Sequence, residues 1–270
     1  MNDADAARAL VQGADVVFHT AAIVEEDGRM ADFRRVNVEG TRTVASLARD
    51  AGVRRFLHLS SVMVYGFRYP EGVDEDGPLA GEGNAYCQTK IESEEVALSF
   101  HDPSRIGVLA LRPGDVYGLG SMPWVLRPLQ LMQRRLFFLP SSGGVINHVH
   151  VENLLDAVFL ALEKDVTGTV LNVTDGHATP CREFFTHHAR WLGRDGVPTL
   201  PDAVMRAGLR AGAALYRAVG RKPPATPAAV DFLSRKHAVS TDRARRVLGY
   251  APRITLADGM AEIARRWRER

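Results

Sequence analysis

Cysteine is scarce in this sequence: Cys87 and Cys181 are its only two, far apart and in no C-x-x-C pair. That argues against a disulfide scaffold and suits a reducing cytoplasm, the compartment expected for the chain. Long apolar runs are missing as well, and none approaches the roughly 20 residues that a membrane span needs. The first residues are acidic and polar, so no secretory signal is expected. A strong charge of either sign is also lacking. The formal net charge is +2 with 24% charged residues, which removes the electrostatic case for nucleic acid as a partner. Lysine is rare: only Lys90, Lys164, Lys222 and Lys236 occur among 34 Lys and Arg residues, so each lysine position is informative. What remains is a 270-residue chain, 46% hydrophobic, enough for one large domain or one domain with a smaller appendage.

Along the chain, residues 3–12 read as a short Ala-rich helix closed by Gly13. Residues 14–22 (ADVVFHTAA), 55–64 (RFLHLSSVMV) and 106–111 are apolar runs that read as buried strands. Helical patterns over 32–51 and 85–99 separate them, the first stopped by Gly52. Such alternation predicts a parallel sheet of βαβ units. After Gly120 the character changes. A helix and a short strand are expected over 124–138, a strand over 146–151, a helix over 153–163 and a strand over 169–173. Helices are expected over 180–192 and 201–219, then a basic, proline-rich break at 221–227. The end, 240–270, reads as two short helices around Gly249-Tyr250-Ala251-Pro252.

The central chemical signal is Tyr86-Cys87-Gln88-Thr89-Lys90. A spacing of four on a helix puts Tyr86 and Lys90 on one face. A phenol with a pKa of about 10 is a poor base at neutral pH. A nearby ammonium and a place in the first helical turn both favour the phenolate, which brings the group toward general acid/base work. Ser60 and Ser61 stand at the end of a buried strand, just before Val64-Tyr65-Gly66. The carboxyl ends of parallel strands are where open α/β sheets bind ligands, and a serine there can hydrogen-bond a substrate oxygen.

These residues are part of an ordered set. It includes Asp15 through Ala22, Asn37-Val38-Glu39-Gly40-Thr41, Ser60 through Gly66 and Tyr86 through Lys90. It continues with Leu111 through Gly118, His150-Val151-Glu152-Asn153-Leu154 and Leu248 through Pro252. Over nearly its whole length the chain resembles an extended short-chain dehydrogenase/reductase, of the NAD-dependent epimerase/dehydratase and 3β-hydroxysteroid dehydrogenase group. The resemblance implies an α/β fold: a Rossmann-like parallel sheet truncated at the N-terminus, with a smaller, mostly helical substrate-binding region. A partial dinucleotide-binding domain is expected over 1–120, with 148–175 returning to it. The substrate-binding region is drawn from 121–147 and 177–245, and 246–270 forms the C-terminal helix. The family pattern selects Ser61 over Ser60 as the catalytic serine, beside Tyr86 and Lys90. It implies an NAD or NADP cofactor held by Thr20, Ala21, Ala22, Asn37, Ser60, Tyr86, Lys90, Pro113 and Val116. The implied reaction is hydride transfer on the CH–OH group of a sterol-like or other apolar alcohol, with Tyr86 exchanging the alcohol proton. The expected partner is a small-molecule substrate, with a homodimer open as an assembly.

One departure stands out. The family opens with strand–G-x-x-G-x-x-G–helix, whose backbone amides hold the pyrophosphate; no such loop occurs here, nor an acidic residue ending the second strand. Relative to the family about 60 residues, three strands' worth, are missing before what would be its fourth strand. The 15–22 strand is therefore expected to expose an apolar edge. An incompletely read gene, a truncated pseudoenzyme or a second chain supplying the missing half would each account for this. The first is favoured, because catalytic residues drift in a dead protein. Two other functions stay open: a nucleotide-sugar epimerase or dehydratase, and a cofactor-free binding protein. Against the former, the place of the family's diphosphate-binding segment reads Ser234-Arg235-Lys236-His237, where only Arg235 remains for that role.

Weaker features have plainer readings. His148 and His150 share a strand side but lack a third metal ligand at suitable spacing, so no metal is expected. Asp74-Glu75-Asp76 reads as a solvated loop. Arg206, Arg210 and Arg217 oppose Val204, Leu215 and Val219 on one helix, which reads as a lid or support before a membrane-surface helix. Trp124, Leu126, Leu129, Met132, Phe137 and Phe138 are candidates for an apolar pocket, with most expected in the core.

Overall fold

A computed structural model of the chain describes residues 4–25 and 27–269. Asp3 and Arg270, which fall within the two terminal helical readings, lie outside them. Four parallel strands make the main sheet: β1 (Val16–His19), β2 (Arg55–Leu59), β3 (Gly107–Pro113) and β8 (Thr169–Val173), in the order β1-β2-β3-β8. Val16 pairs with Arg55, Phe56 with Val108, and Leu111 with Leu171. Every β3 position is buried, as a strand covered on both faces must be. β1 lies at the sheet edge; its Val16 is exposed and its Val17 and Phe18 half-buried, as the apolar-edge reading anticipates.

Successive strand residues point to opposite faces, and two cores follow from that alternation. Phe56, Ile106 and Val108 pack with Ala7 and Val11 of α1 (Ala4–Val11) and with Val44, Ala45 and Ala48 of α3 (Glu39–Asp50). A short helix α2 (Met30–Phe33) and one wide turn, Arg34–Val38, lead into α3. Leu57, Leu109 and Leu171 face the other way, against α6 (Val151–Glu163) and α10 (Asp242–Leu248). Between β2 and β3 runs α4 (Ala85–Leu98). A third core joins α5 (Arg127–Gln133), α7 (Cys181–Trp191) and α11 (Leu256–Arg268) around Leu129, Met132, Phe184, Phe185 and Met260. α8 (Asp202–Ala218) and α9 (Ala228–Leu233) complete the helices. Short strand pairs link the rest. β4 (Asp115–Tyr117) lies beside β7 (His148–His150), β5 (Leu139–Pro140) beside β10 (Thr199–Leu200), and β6 (Val145–Ile146) beside β9 (Thr179–Pro180). Among the described residues no helix is long and apolar enough to cross a membrane.

Three local expectations need correction. The strand read over 55–64 stops at Leu59, because Ser61 caps a tight 3-10 turn, Val62–Tyr65, by accepting from the Met63 amide at 3.2 Å. The strand read over 146–151 divides into β6 and β7. Asp74-Glu75-Asp76 is not wholly solvated: Glu75 is buried and accepts from the Asn172 amide at 2.7 Å. It sits in a polar network with Arg112, which donates to Glu94 (2.5 Å), to the Tyr65 hydroxyl (2.7 Å) and to the Glu75 carbonyl (3.1 Å).

Candidate active site

The carboxyl ends of β2 and β3 and the start of α4 meet at one cavity. The Ser60 amide donates to the Leu111 carbonyl at 2.7 Å, which ties the two strand ends together. Gly114 follows β3 where any Cβ would strike the Asn147 carbonyl, so only glycine fits the P-G-D segment. Asn84 caps α4 by accepting from the amides of Tyr86 (2.9 Å) and Cys87 (3.1 Å), and this sets Tyr86 in the first turn. One turn on, Lys90 is buried and its Nζ donates to the Leu59 carbonyl at 2.6 Å. The Ser61 and Tyr86 side chains both line this cavity. Residues 61, 86 and 90, from two separate elements, thus converge as the sequence reading expects.

The electrostatics differ from that reading. Burial pushes the Tyr86 phenol up to about 12, against the smaller opposing effect of the neighbouring Ser61 hydroxyl. Burial also brings the Lys90 ammonium down to about 8, with Glu94 opposing. Lys90 is engaged with a backbone carbonyl, so the expected lowering of Tyr86 by Lys90 is not what this geometry produces. Behind Lys90 lies a row of buried imidazoles. His19 stacks on His58 at 5.7 Å between ring centres; it meets Thr41 Oγ1 at 3.1 Å, and His58 meets Ser93 Oγ at 3.2 Å.

Burial, and then the Lys90 charge, lower His19 to about 4 and His58 well below its ordinary value. Burial likewise takes His188 to about 4. These histidines stay neutral in the folded chain while the unfolded chain protonates them below pH 6.5, so stability falls as pH drops from 6.5 to about 4. Each of His19 and His188 forfeits on the order of 3 kcal/mol over that window. Urea unfolding across it should show a steep loss of midpoint, whereas a flat profile would contradict their neutral burial.

The cavity has a volume of about 390 Å³. Of the cofactor residues named from the sequence, Thr20, Ala22, Ser60, Tyr86, Lys90, Pro113 and Val116 line it, as does Ser61. Asn37 does not. It is buried behind the wall, where its amide donates to the Ile23 carbonyl (3.3 Å) and Thr89 Oγ1 (3.0 Å) and accepts from the Ile23 amide (2.7 Å). That pins the loop after β1 to α4. Ala21 is exposed beside the wall, outside the lining. Of the apolar pocket candidates, Trp124 and Phe137 line the cavity, Leu129 and Met132 are core, Leu126 packs against that core, and Phe138 lines a separate cleft.

Several lining residues escaped the sequence reading. Phe232 and Leu233 of α9 and the stretch 224–229 close one side. Arg217 and Lys222 reach back to the loop after β1, bonding Asp27 (2.9 Å) and Glu25 (2.7 Å). Asp115 lines the cavity and is paired with Arg235 at 2.6 Å, their side chains 5% and 0% exposed. The Arg235 guanidinium also lies over the Phe232 ring at 3.8 Å. It is therefore not the free cation that a diphosphate would require. The pair joins residues 120 positions apart in the chain; the only hint was an arginine at the place of the family's diphosphate-binding segment.

His148 is satisfied at both nitrogens, by Asp175 Oδ2 and Thr179 Oγ1, each at 2.8 Å. His150 caps α6 by accepting from the Glu152 amide at 3.3 Å. No group of three or more potential metal ligands occurs among the described residues.

With this geometry in view, comparisons with known proteins fall into one pattern. The family described as "NAD dependent epimerase/dehydratase family" matches residues 1–174. A 4-hydroxy-2-methyl-3-oxo-4-farnesyl-3,4-dihydroquinoline-1-oxide ketoreductase of Stigmatella aurantiaca is 33% identical over 92% of this chain and 76% of its own. A 3-beta-hydroxysteroid dehydrogenase of Mycolicibacterium neoaurum is 29% identical over 97% of this chain and 76% of its own. Among solved structures, the dTDP-glucose 4,6-dehydratase DesIV of Streptomyces venezuelae, with NAD bound, superposes with a TM-score of 0.77 at 24% identity, over 99% of this chain and 77% of the other.

Proposed function

The chain belongs to the NAD-dependent epimerase/dehydratase family, and from that premise we propose that it is an NAD(P)-dependent oxidoreductase that interconverts an apolar, sterol-like or isoprenoid ketone with its alcohol, working chiefly as a reductase. The substrate-binding part is assigned to 121–147 and 177–245, which supply Trp124, Phe137, Phe185 and Phe232 to the cavity.

The residues present fit the nicotinamide end of the cofactor. Ser60 Oγ is buried without a partner among the described residues and borders the cavity, so it offers an unused hydrogen bond. Thr20, Ala22 and Gly114 are small enough for a flat ring to approach. Lys90 and Tyr86 would hold the ribose, with Pro113 and Val116 beside the ring. When bound, the cofactor supplies or accepts the hydride.

The chain's own residues handle the proton. A phenol pushed up to about 12 keeps its proton at neutral pH, so Tyr86 acts as a general acid toward the oxygen that becomes an alkoxide. Ser61 is placed to donate to that same oxygen as charge grows on it. In the oxidation direction Tyr86 must first lose its proton, which burial opposes. Lys90 stays charged below pH about 8, where its ammonium has donors for both the Leu59 carbonyl and the cofactor ribose. kcat/KM should therefore fall roughly tenfold per pH unit above pH 8, the Lys90→Met variant should lack this limb, and a wild-type profile flat to pH 10 would contradict Lys90's role.

The observation that carries the substrate class is Arg235, buried against Asp115 and Phe232 and so withheld from phosphate. Following loss of reduced nicotinamide with a sterol ketone, a long-chain ketone and a UDP- or dTDP-4-keto sugar tests it. Turnover is expected with the apolar ketones; turnover with only the nucleotide sugar would overturn this reading.

A further inference from the structure

We propose that Arg127 is a specificity-determining residue that recognises a carboxylate, so that the ketone this cavity accepts is a keto acid with an apolar body. The inference rests on the ketone-reducing reading of the same cavity and narrows its substrate.

Four charged side chains line the cavity: Glu25, Lys90, Asp115 and Arg127. Three are engaged. Glu25 is bonded to Lys222 at 2.7 Å. Asp115 accepts from Arg235 at 2.6 Å and from the Asn147 amide at 3.0 Å. Lys90 donates to the Leu59 carbonyl at 2.6 Å. Arg127 is the exception, for among the described residues no carboxylate lies within ion-pair distance of it. It opens α5 at the exposed rim, and the lining residues next to it in the chain are Pro123, Trp124, Pro128 and Leu131. None of their side chains offers a hydrogen-bond acceptor to a guanidinium.

On an open surface an arginine without a partner is ordinary, since water serves its five donors. On the wall of an apolar cavity it is different, because an apolar ligand strips that water and leaves the donors unmet. A neutral sterol-like body would incur that cost, and a ligand carrying an anion there would reverse it. The anion is a carboxylate rather than a phosphate because of charge. One guanidinium forks onto one carboxylate with two parallel hydrogen bonds and neutralises it fully. A phosphate dianion would need a second free cation, and the other cation of the lining, Lys90, is engaged with the Leu59 carbonyl.

Trp124 lines the cavity close to Arg127 in the chain, so its fluorescence reports binding without cofactor or turnover; a Trp124→Phe control assigns the signal. The probes are decanoate, decanol and decyl phosphate, titrated against wild type, Arg127→Met and Arg127→Lys. In wild type, decanoate should bind about 30-fold more tightly than decanol. Arg127→Met should erase that preference, weakening decanoate and tightening decanol by roughly threefold, and Arg127→Lys should restore part of it. In turnover, Arg127→Met should raise KM for a long-chain keto acid and lower KM for the corresponding neutral ketone, with the larger effects in KM than in kcat. Equal binding of decanoate and decanol to wild type, or a preference that survives in Arg127→Met, would overturn the assignment, as would tighter binding of decyl phosphate than of decanoate. The binding arm separates the two readings. Absence of ketone turnover with the decanoate preference intact faults the oxidoreductase reading, and turnover of neutral ketones with no decanoate preference faults this one.

Discussion

Tyr86→Phe is expected to lower kcat about 1,000-fold while weakening the cofactor by roughly tenfold at most, the loss of one ribose hydrogen bond. The substitution removes one hydroxyl from a helix turn already fixed by the Asn84 cap, so the fold and the cavity wall stay in place. It removes the proton that burial holds on the phenol at neutral pH. Ser61 retains its hydrogen bond from the Met63 amide and can still polarise a carbonyl, but its hydroxyl is a far weaker acid and cannot replace the phenol. Residual activity should therefore be small and should fall further when Ser61 is also replaced by alanine. Rates in the variant within tenfold of wild type would mean that another group donates the proton, and the acid/base assignment would fail.

Arg235→Met carries the largest expected cost in stability, about 3–5 kcal/mol, because it leaves Asp115 charged and buried without its partner. Burial alone raises the Asp115 carboxyl, and Arg235 is what opposes that rise. Combining Arg235→Met with Asp115→Asn removes both charges at nearly constant volume and should recover most of the loss, since a well-packed neutral pair often equals a buried ion pair. Urea midpoints of the two single variants and the double variant make the cycle. A single-variant cost under 1 kcal/mol would show that water reaches the pair, and with it that Arg235 is available to an anionic substrate after all.

The contrast between these two experiments shows what could be read in the sequence. Tyr86 and Lys90 are legible because a helix repeat links them, and Ser60 and Ser61 because they end an apolar run that reads as a strand, with the family resemblance choosing Ser61. The helices read over 85–99 and 153–163 and the strand over 169–173 follow from local periodicity and match the observed elements to within two residues. What escaped depends on distance in the chain or on burial. Asp115 and Arg235 meet across 120 residues, and no pattern within either segment announces the other. Glu75 sits in an acidic run that reads as solvated, yet the Asn172 amide draws it inside. The direction of the Tyr86 shift was misjudged for a related reason: helix spacing places a lysine beside a tyrosine but does not report that the Leu59 carbonyl takes the ammonium's hydrogen bond. Asn37 was identified as a cofactor contact and is found instead holding the loop that presents Thr20 and Ala22.

The central claim is that Ser61, Tyr86 and Lys90 serve hydride transfer to a ketone carbon. The most direct measurement supplies a reduced nicotinamide cofactor carrying two deuteriums at C4, with a long-chain keto acid, and locates the label in the product by mass spectrometry. One deuterium bound to the new carbinol carbon in every product molecule is the predicted result, formed about 1,000-fold more slowly by Tyr86→Phe. Product alcohol without deuterium would contradict the account.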